Sequence, residues 1–344
     1  MTAPTPPPTR RSARSVLGPA LLVAALALSG ACGSDSGDTG GEDAADGVTG
    51  AAAGPAEATT TTTEVATVPE GGYDVLTRTE TLVDTTRATP ALADTGVPAA
   101  DRRTLATSFT YPDAPGRFPL VAFAHGHYGH PRKFTQLFEA WAAAGFVVAA
   151  PAFPLSNDEV PGAASPFDLP DQPGDLSFVI SESLRLSGED DGFLAGRVDP
   201  ERIGVGGLSL GGATTYLTAF DECCLDERVD AAMVLDGLRP DASGLHLDRG
   251  IPLLIVHADE DPVASYSYAE QAFEDAAAPA YLVTLHEAVH SQPFEDTPDP
   301  ADQTVLDTTT AFWRRHLAGD EAAAVALQEA AAVPGLTTFV ARPG

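Results

Sequence analysis

The sequence predicts an α/β domain with a mostly parallel central sheet covered by helices on both faces. Three observations carry this expectation. From Gly71 onward, short β-rich runs alternate with amphipathic helical runs, the order of elements that builds a parallel sheet with crossover helices. Several of the strand-like runs are apolar throughout rather than alternating, as strands buried on both faces are. One glycine-rich turn, "GVGGLSLGG", stands between a strand-like and a helix-like run.

Taken in order, "LATSFTY" and "FPLVAFAH" read as strands, the second apolar enough to be central. "PRKFTQLFEAWAAAG" reads as a helix with Phe134, Leu137, Phe138 and Trp141 on one face and Gly145 as its stop. "FVVAAP" is a buried strand, followed by a Pro- and Asp-rich loop from Pro154 to Pro173. "GDLSFVISESLRL" predicts a helix, "RIGVGGLS" a strand and "LGGATTYLTAF" a helix. "DAAMVLDG", "IPLLIVHAD" and "AYLVTLHE" complete the strands, with the helix "SYAEQAFEDA" between the last two and "TVLDTTTAFWRRHL" as the closing helix. These runs make one domain over 71–319, followed by an Ala-rich tail over 320–344 with no clear pattern.

The N-terminus has a different character. Arg10, Arg11 and Arg14 precede the apolar run "VLGPALLVAALALSG", which predicts an export signal over 1–32. "LSGAC" and the polar "GSDSGDTGGED" after it resemble a bacterial lipoprotein processing site. That resemblance implies lipidation of Cys32, although Ser29 stands where a branched aliphatic residue is commoner. Simple cleavage near Ala31 is the alternative, and a twin-arginine signal at Arg10-Arg11 fits the following residues poorly. Residues 33–70, with "ATTTTTEVAT", carry too little apolar surface to fold and read as a tether. The protein is expected to work outside the cytoplasm, membrane-attached only through Cys32 and otherwise secreted. A formal charge of -30 with 19 Lys plus Arg excludes a nucleic-acid partner, because phosphate contacts need cations. Cys223 and Cys224 either close a vicinal disulfide or sit as small apolar residues, and neither has the surroundings of a nucleophile.

The chemistry concentrates in "RIGVGGLSLGGATTY". A strand runs into Gly207-Leu208-Ser209-Leu210-Gly211 and a helix begins at once, so flanking glycines permit a tight turn that lifts Ser209 clear of the sheet. A serine needs a base, and the base an orienting acid. In chain order, Asp261 follows the apolar strand "IPLLIVHAD" and His290 follows "AYLVTLHE", both at the strand ends where open α/β sheets build their sites. His257, His286 and His316 read as packing or surface residues.

With these motifs in place, the chain from about residue 100 to 318 resembles the α/β-hydrolase superfamily. "FPLVAFAHGHYG", "WAAAGFVVAAPAFP", "DPERIGVGGLSLGG", "HADEDPV" and "EAVHSQPF" carry the resemblance. It is closest to serine esterases of the platelet-activating-factor acetylhydrolase, chlorophyllase, dienelactone hydrolase and cutinase-like polyester hydrolase group. The resemblance implies an α/β-hydrolase fold without a large cap domain, since only a short connection runs from Asp236 to Ile251. It also leaves two acids open: Asp261, at the commoner position, and Asp236, where the acetylhydrolase and chlorophyllase types draw theirs; Asp259 is a poorer third. It implies an oxyanion hole from the N–H groups of His127 and Leu210, and a cleft bordered by Tyr128, Phe153, Leu238 and the Pro154–Pro173 loop.

The histidines of "HGHYGHP" have a rival reading. His125, His127 and His130 follow the H-x-H-x-x-H spacing of two-zinc hydrolases. Those sites carry Asp where Gly129 stands and need further His and Asp ligands, which the later sequence does not supply. No metal or other cofactor is therefore expected. The activity implied is hydrolysis of lipid-like, aromatic or polymeric carboxylic esters through an acyl-enzyme on Ser209. An acyltransferase with the same triad, or a non-catalytic ligand-binding surface protein, are the alternatives.

Overall fold

A computed structural model describes residues 68–93 and 95–344. The signal segment, Cys32 and the tether up to residue 67 lie outside the described residues. Among the described residues, nine strands form one sheet: β1 (Val75–Asp84), β2 (Arg103–Pro112), β3 (Phe118–Ala124), β4 (Val147–Ala152), β5 (Val198–Leu208), β6 (Val229–Leu235), β7 (Leu253–Ala258), β8 (Ala280–Leu285) and β9 (Thr337–Arg342). Their spatial order is β1-β2-β4-β3-β5-β6-β7-β8-β9. From β4 to β8 every pairing is parallel, while β1, β2 and β9 add antiparallel edges. The chain is thus α/β with a mostly parallel central sheet.

The apolar runs explain the centre of that sheet. Every residue of β3, β4, β7 and β8 is buried, as required of strands covered on both faces. Alternate side chains enter two separate cores. On one face, Leu120, Ala122, Val205 and Ile255 pack against α2 (Gln172–Ser187), α3 (Leu210–Phe220) and α4 (Tyr266–Asp275). On the other, Val121, Phe123, Met233 and Val256 pack against α1 (Thr135–Ala143), α5 (Asp302–His316) and α6 (Ala323–Ala331).

Two departures from the sequence reading concern where elements begin and end. Residues 320–344, expected as a tail, instead supply α6 and β9, and β9 pairs with β8 from Ala280↔Arg342 to Leu285↔Thr337. The α-helical part of "PRKFTQLFEAWAAAG" begins only at Thr135, because Pro131–Lys133 form a 3-10 turn and Phe134 leaves helical geometry at φ -124°. Cys223 and Cys224 form the vicinal disulfide. Among the described residues, no helix is long and apolar enough to cross a membrane.

The topology positions the site. After β3 the chain moves to β4 on one side, and later strands extend the sheet on the other, so the order reverses at the β3–β5 boundary. The crevice at the carboxyl ends of strands flanking such a reversal is where open α/β sheets bind ligands. The Pro154–Pro173 segment rims this crevice and is held from below. Buried Arg103 on β2 pairs with Asp168 at 2.9 Å and Asp175 at 2.5 Å, while Asp168 also accepts the Leu155 N–H at 3.1 Å.

Candidate active site

Ser209 occupies the turn between β5 and α3 with φ 57°, a conformation that L-residues avoid and that strand-to-helix packing must enforce. The flanking glycines have no substitute there. A Cβ on Gly207 would strike the Gly211 carbonyl, and one on Gly211 the Ala124 carbonyl of the neighbouring strand. Ser209 N–H donates to Leu235 O at 2.9 Å, which ties the turn to β6.

Three loops bring partners to it. The Ser209 hydroxyl donates to His290 Nε2 at 2.9 Å, and His290 Nδ1–H donates to Asp261 Oδ2 at 2.6 Å. Asp261 Oδ1 accepts the Val263 and Ala264 N–H groups at 2.7 and 2.9 Å. Burial alone would raise the Asp261 carboxyl, but the His290 bond and these backbone donors outweigh it and hold it below its ordinary value. Asp261 therefore stays an anion and fixes the His290 tautomer whose Nε2 faces the serine.

The other carboxylates do different work. Asp236, fully buried with φ 40°, accepts the Ala258 N–H at 2.8 Å and the Ser291 N–H at 2.9 Å. Its Oδ2 lies 3.9 Å from His290 Nδ1, so it fastens the strand end and the histidine loop while Asp261 makes the direct bond. Burial pushes its carboxyl up to about 6, against the pull of His257 and the Ala258 N–H. Asp259 bonds His286 at 2.8 Å instead, and Thr338 takes the other side of that ring. His316 bonds Tyr281 Oη at 3.1 Å, and burial pushes it down to about 4.

The loop after β3 comes against the serine at Gly126, where a Cβ would stand 3.1 Å from Ser209 Cβ. The histidines of this loop serve as its frame. Phe153 N–H donates to His125 Nε2 at 3.0 Å, so His125 carries its proton on Nδ1 and donates it to Gly126 O at 2.7 Å. Burial pushes His125 down to about 4, which keeps it neutral. The His127 ring bonds Ala164 O at 3.1 Å, and His130 Nδ1 accepts the Arg132 N–H at 3.3 Å. No acceptor among the described residues engages the N–H of His127 or of Leu210, which leaves both free to donate to a developing oxyanion.

One cleft residue is misplaced in the sequence reading. Phe153, expected to border the cleft, is fully buried and packs on the His125 ring at 4.9 Å between centroids. It shapes the loop from beneath because its backbone N–H is the partner of His125. Tyr128 is exposed and lies against His127 with the two rings tilted at 54°, and Leu238 is half-buried against Leu210, Ala213 and Leu217. Lys133, which sequence reasoning missed, reaches Tyr128 O at 2.9 Å.

Among the described residues, Asp236, His257 and Asp261 form the one group of three possible metal donors, with ligand atoms within 4.8 Å of one another. Their oxygens already accept N–H groups, and His257 Nε2–H donates to Ala264 O at 2.9 Å. Those bonds occupy the carboxylate oxygens of the cluster and His257 Nε2, while His257 Nδ1 is buried without a partner. Any turnover at this site is expected to be unaffected by EDTA. His127→Ala is expected to cost any such turnover about 10-fold or less in kcat, because the backbone N–H survives the substitution. Recovery of EDTA-lost activity by zinc would overturn this account. No family profile and no curated protein sequence matches the chain.

Proposed function

We propose that the protein is an exported serine hydrolase of the α/β-hydrolase kind that cleaves carboxylic esters. The observation that carries the reading is the unbroken chain Ser209 Oγ–His290 Nε2 at 2.9 Å and His290 Nδ1–Asp261 Oδ2 at 2.6 Å, at a strained strand-to-helix turn.

In this reading Ser209 Oγ attacks the ester carbonyl while His290 Nε2 takes its proton. The carbonyl oxygen becomes an oxyanion that receives the N–H groups of His127 and Leu210, with the α3 N-terminus favouring the negative charge. Asp261 stabilises the imidazolium. His290 then protonates the leaving alcohol, and the C–O bond breaks to leave an acyl-enzyme. Water, deprotonated by His290, attacks that acyl group and releases the acid and the free serine. Fluorophosphonate labelling of the wild type tests the proposal: an adduct on Ser209 is expected, and its absence would sink it.

The surroundings favour apolar esters. Tyr128 beside His127, Val263 after Asp261, Val289 before His290 and Phe167 on the rimming segment are all exposed, Phe167 at 66%. Exposed apolar side chains on several loops next to one site mark an apolar ligand surface. Longer-chain p-nitrophenyl esters are therefore expected to be better substrates than the acetate. Phe167→Ser should raise KM for an octanoate ester about fourfold to fifteenfold, the worth of one or two buried methylenes, and leave the acetate unchanged. A preference for small polar acyl groups would rule out the apolar substrate class.

A further inference from the structure

In 344 residues the chain has a single lysine, Lys133; its other basic residues are arginines. That lysine stands where three stretches of the site meet. Its ammonium donates to Tyr128 O at 2.9 Å and lies 3.8 Å from both Asp158 Oδ2 and Glu295 Oε1. Its own backbone carbonyl accepts the Asp296 N–H at 2.7 Å. Tyr128 belongs to the loop with the candidate oxyanion donor, Asp158 to the rimming segment, and Glu295 and Asp296 to the loop carrying His290.

What the lysine grips at Tyr128 is strained. Tyr128 has φ 57°, a left-handed conformation that a bulky residue avoids unless its surroundings impose it. The turn Gly126–Gly129 imposes it through three bonds. Gly129 N–H donates to Gly126 O at 2.8 Å, Tyr128 N–H donates to Ser156 O at 2.9 Å, and Lys133 takes the Tyr128 carbonyl. The Tyr128–Gly129 peptide is thus held at both ends, directly after His127. On the far side, Asp296 Oδ2 and Oδ1 accept the Thr135 and Gln136 N–H groups at the start of α1. The base loop is thereby pinned to the same helix that Lys133 precedes.

We infer that Lys133 is a positioning residue, which orients the His127 N–H toward the oxyanion and couples that donor to the loop of the base, His290. This inference rests on the serine-hydrolase reading. The ion pairs alone would not sustain it, since surface pairs contribute little and Arg132 already holds Asp158 at 2.7 Å and Glu159 at 3.1 Å. What the lysine alone supplies is a donor to the Tyr128 carbonyl together with a cation beside Glu295. Arginine would restore charge but presents a longer, planar fork in place of a compact ammonium.

The test compares wild type, K133M and K133R on a soluble short-chain ester, with hydrogen exchange read over residues 125–130. Removing an oxyanion donor outright costs about 10²–10³ in kcat, and a displaced donor should cost less. K133M is therefore expected to lower kcat about 10-fold with KM within about twofold, to speed exchange in that loop, and to be rescued only partly by K133R. Acetylating the folded wild type avoids any folding defect, because its only amines are Lys133 and the chain terminus. It should reproduce the K133M loss, while acetylated K133R should lose nothing further. Wild-type turnover with unchanged kcat and loop exchange in both K133M and the acetylated protein would overturn the role of Lys133 alone. A wild type that neither turns over esters nor takes a fluorophosphonate adduct would overturn the serine-hydrolase reading and this inference with it.

Discussion

Ser209→Ala is expected to lower ester turnover by about 10⁴-fold or more and to abolish fluorophosphonate labelling, with the fold retained. The magnitude follows from what a nucleophile shared by attack and proton transfer is worth in a triad that acts as a unit. The same position gives a second readout that needs no substrate. Ser209 holds φ 57°, strain that an alanine would inherit and a glycine would not. Ser209→Gly should therefore be more stable than Ser209→Ala by about 1 kcal/mol, visible as a higher Tm. Equal Tm values would mean that the turn is not strained, and full activity in either variant would remove the serine from the mechanism.

The second large effect separates the two buried acids. Asp261→Asn should cost about 10³–10⁴-fold in kcat, because an amide facing His290 Nδ1 favours the wrong tautomer. Asp236→Asn should cost much less in kcat but about 1–3 kcal/mol in stability. Its two oxygens accept the Ala258 and Ser291 N–H groups, and an amide NH₂ would leave one of those buried donors unpaired. The pH dependence of stability gives an independent check on Asp236. Its carboxyl sits at about 6 in the folded chain, above the ordinary value of about 3.9 in an unfolded one. The folded state then binds more protons between those values, so this residue lowers stability as pH rises from about 4 to about 6. In Asp236→Asn that part of the pH dependence should vanish. A larger kcat loss in Asp236→Asn than in Asp261→Asn would reverse the assignment.

Legibility in the sequence tracked how local each determinant is. The helix after Ser209, α3, spans Leu210–Phe220 as the sequence reading had it, because a glycine turn and an apolar run define both ends within a few residues. The central strands were legible because burial on both faces leaves continuous apolar runs. β1 and β9 were not: both are edge strands with exposed faces, and "VLTRTETLVD" and "TTFVAR" read as ordinary polar-flanked segments. Ala-rich α6 lacked the large apolar residues that mark a helix face.

By itself, then, the sequence determined the α/β order of elements, the Gly-x-Ser-x-Gly turn and the loops that carry an acid and a histidine. Each of these is written in neighbouring residues, through backbone freedom at glycine and burial of apolar runs. Only the tertiary structure shows which acid bonds His290, since Asp261 lies 29 residues and Ser209 81 residues from His290 along the chain. It also turned Phe153 inward, paired Asp259 with His286 and gathered three loops on Lys133. Those outcomes depend on where strand ends meet across the sheet, and hydrogen bonds of about 3 Å are set by that packing rather than by spacing along the chain.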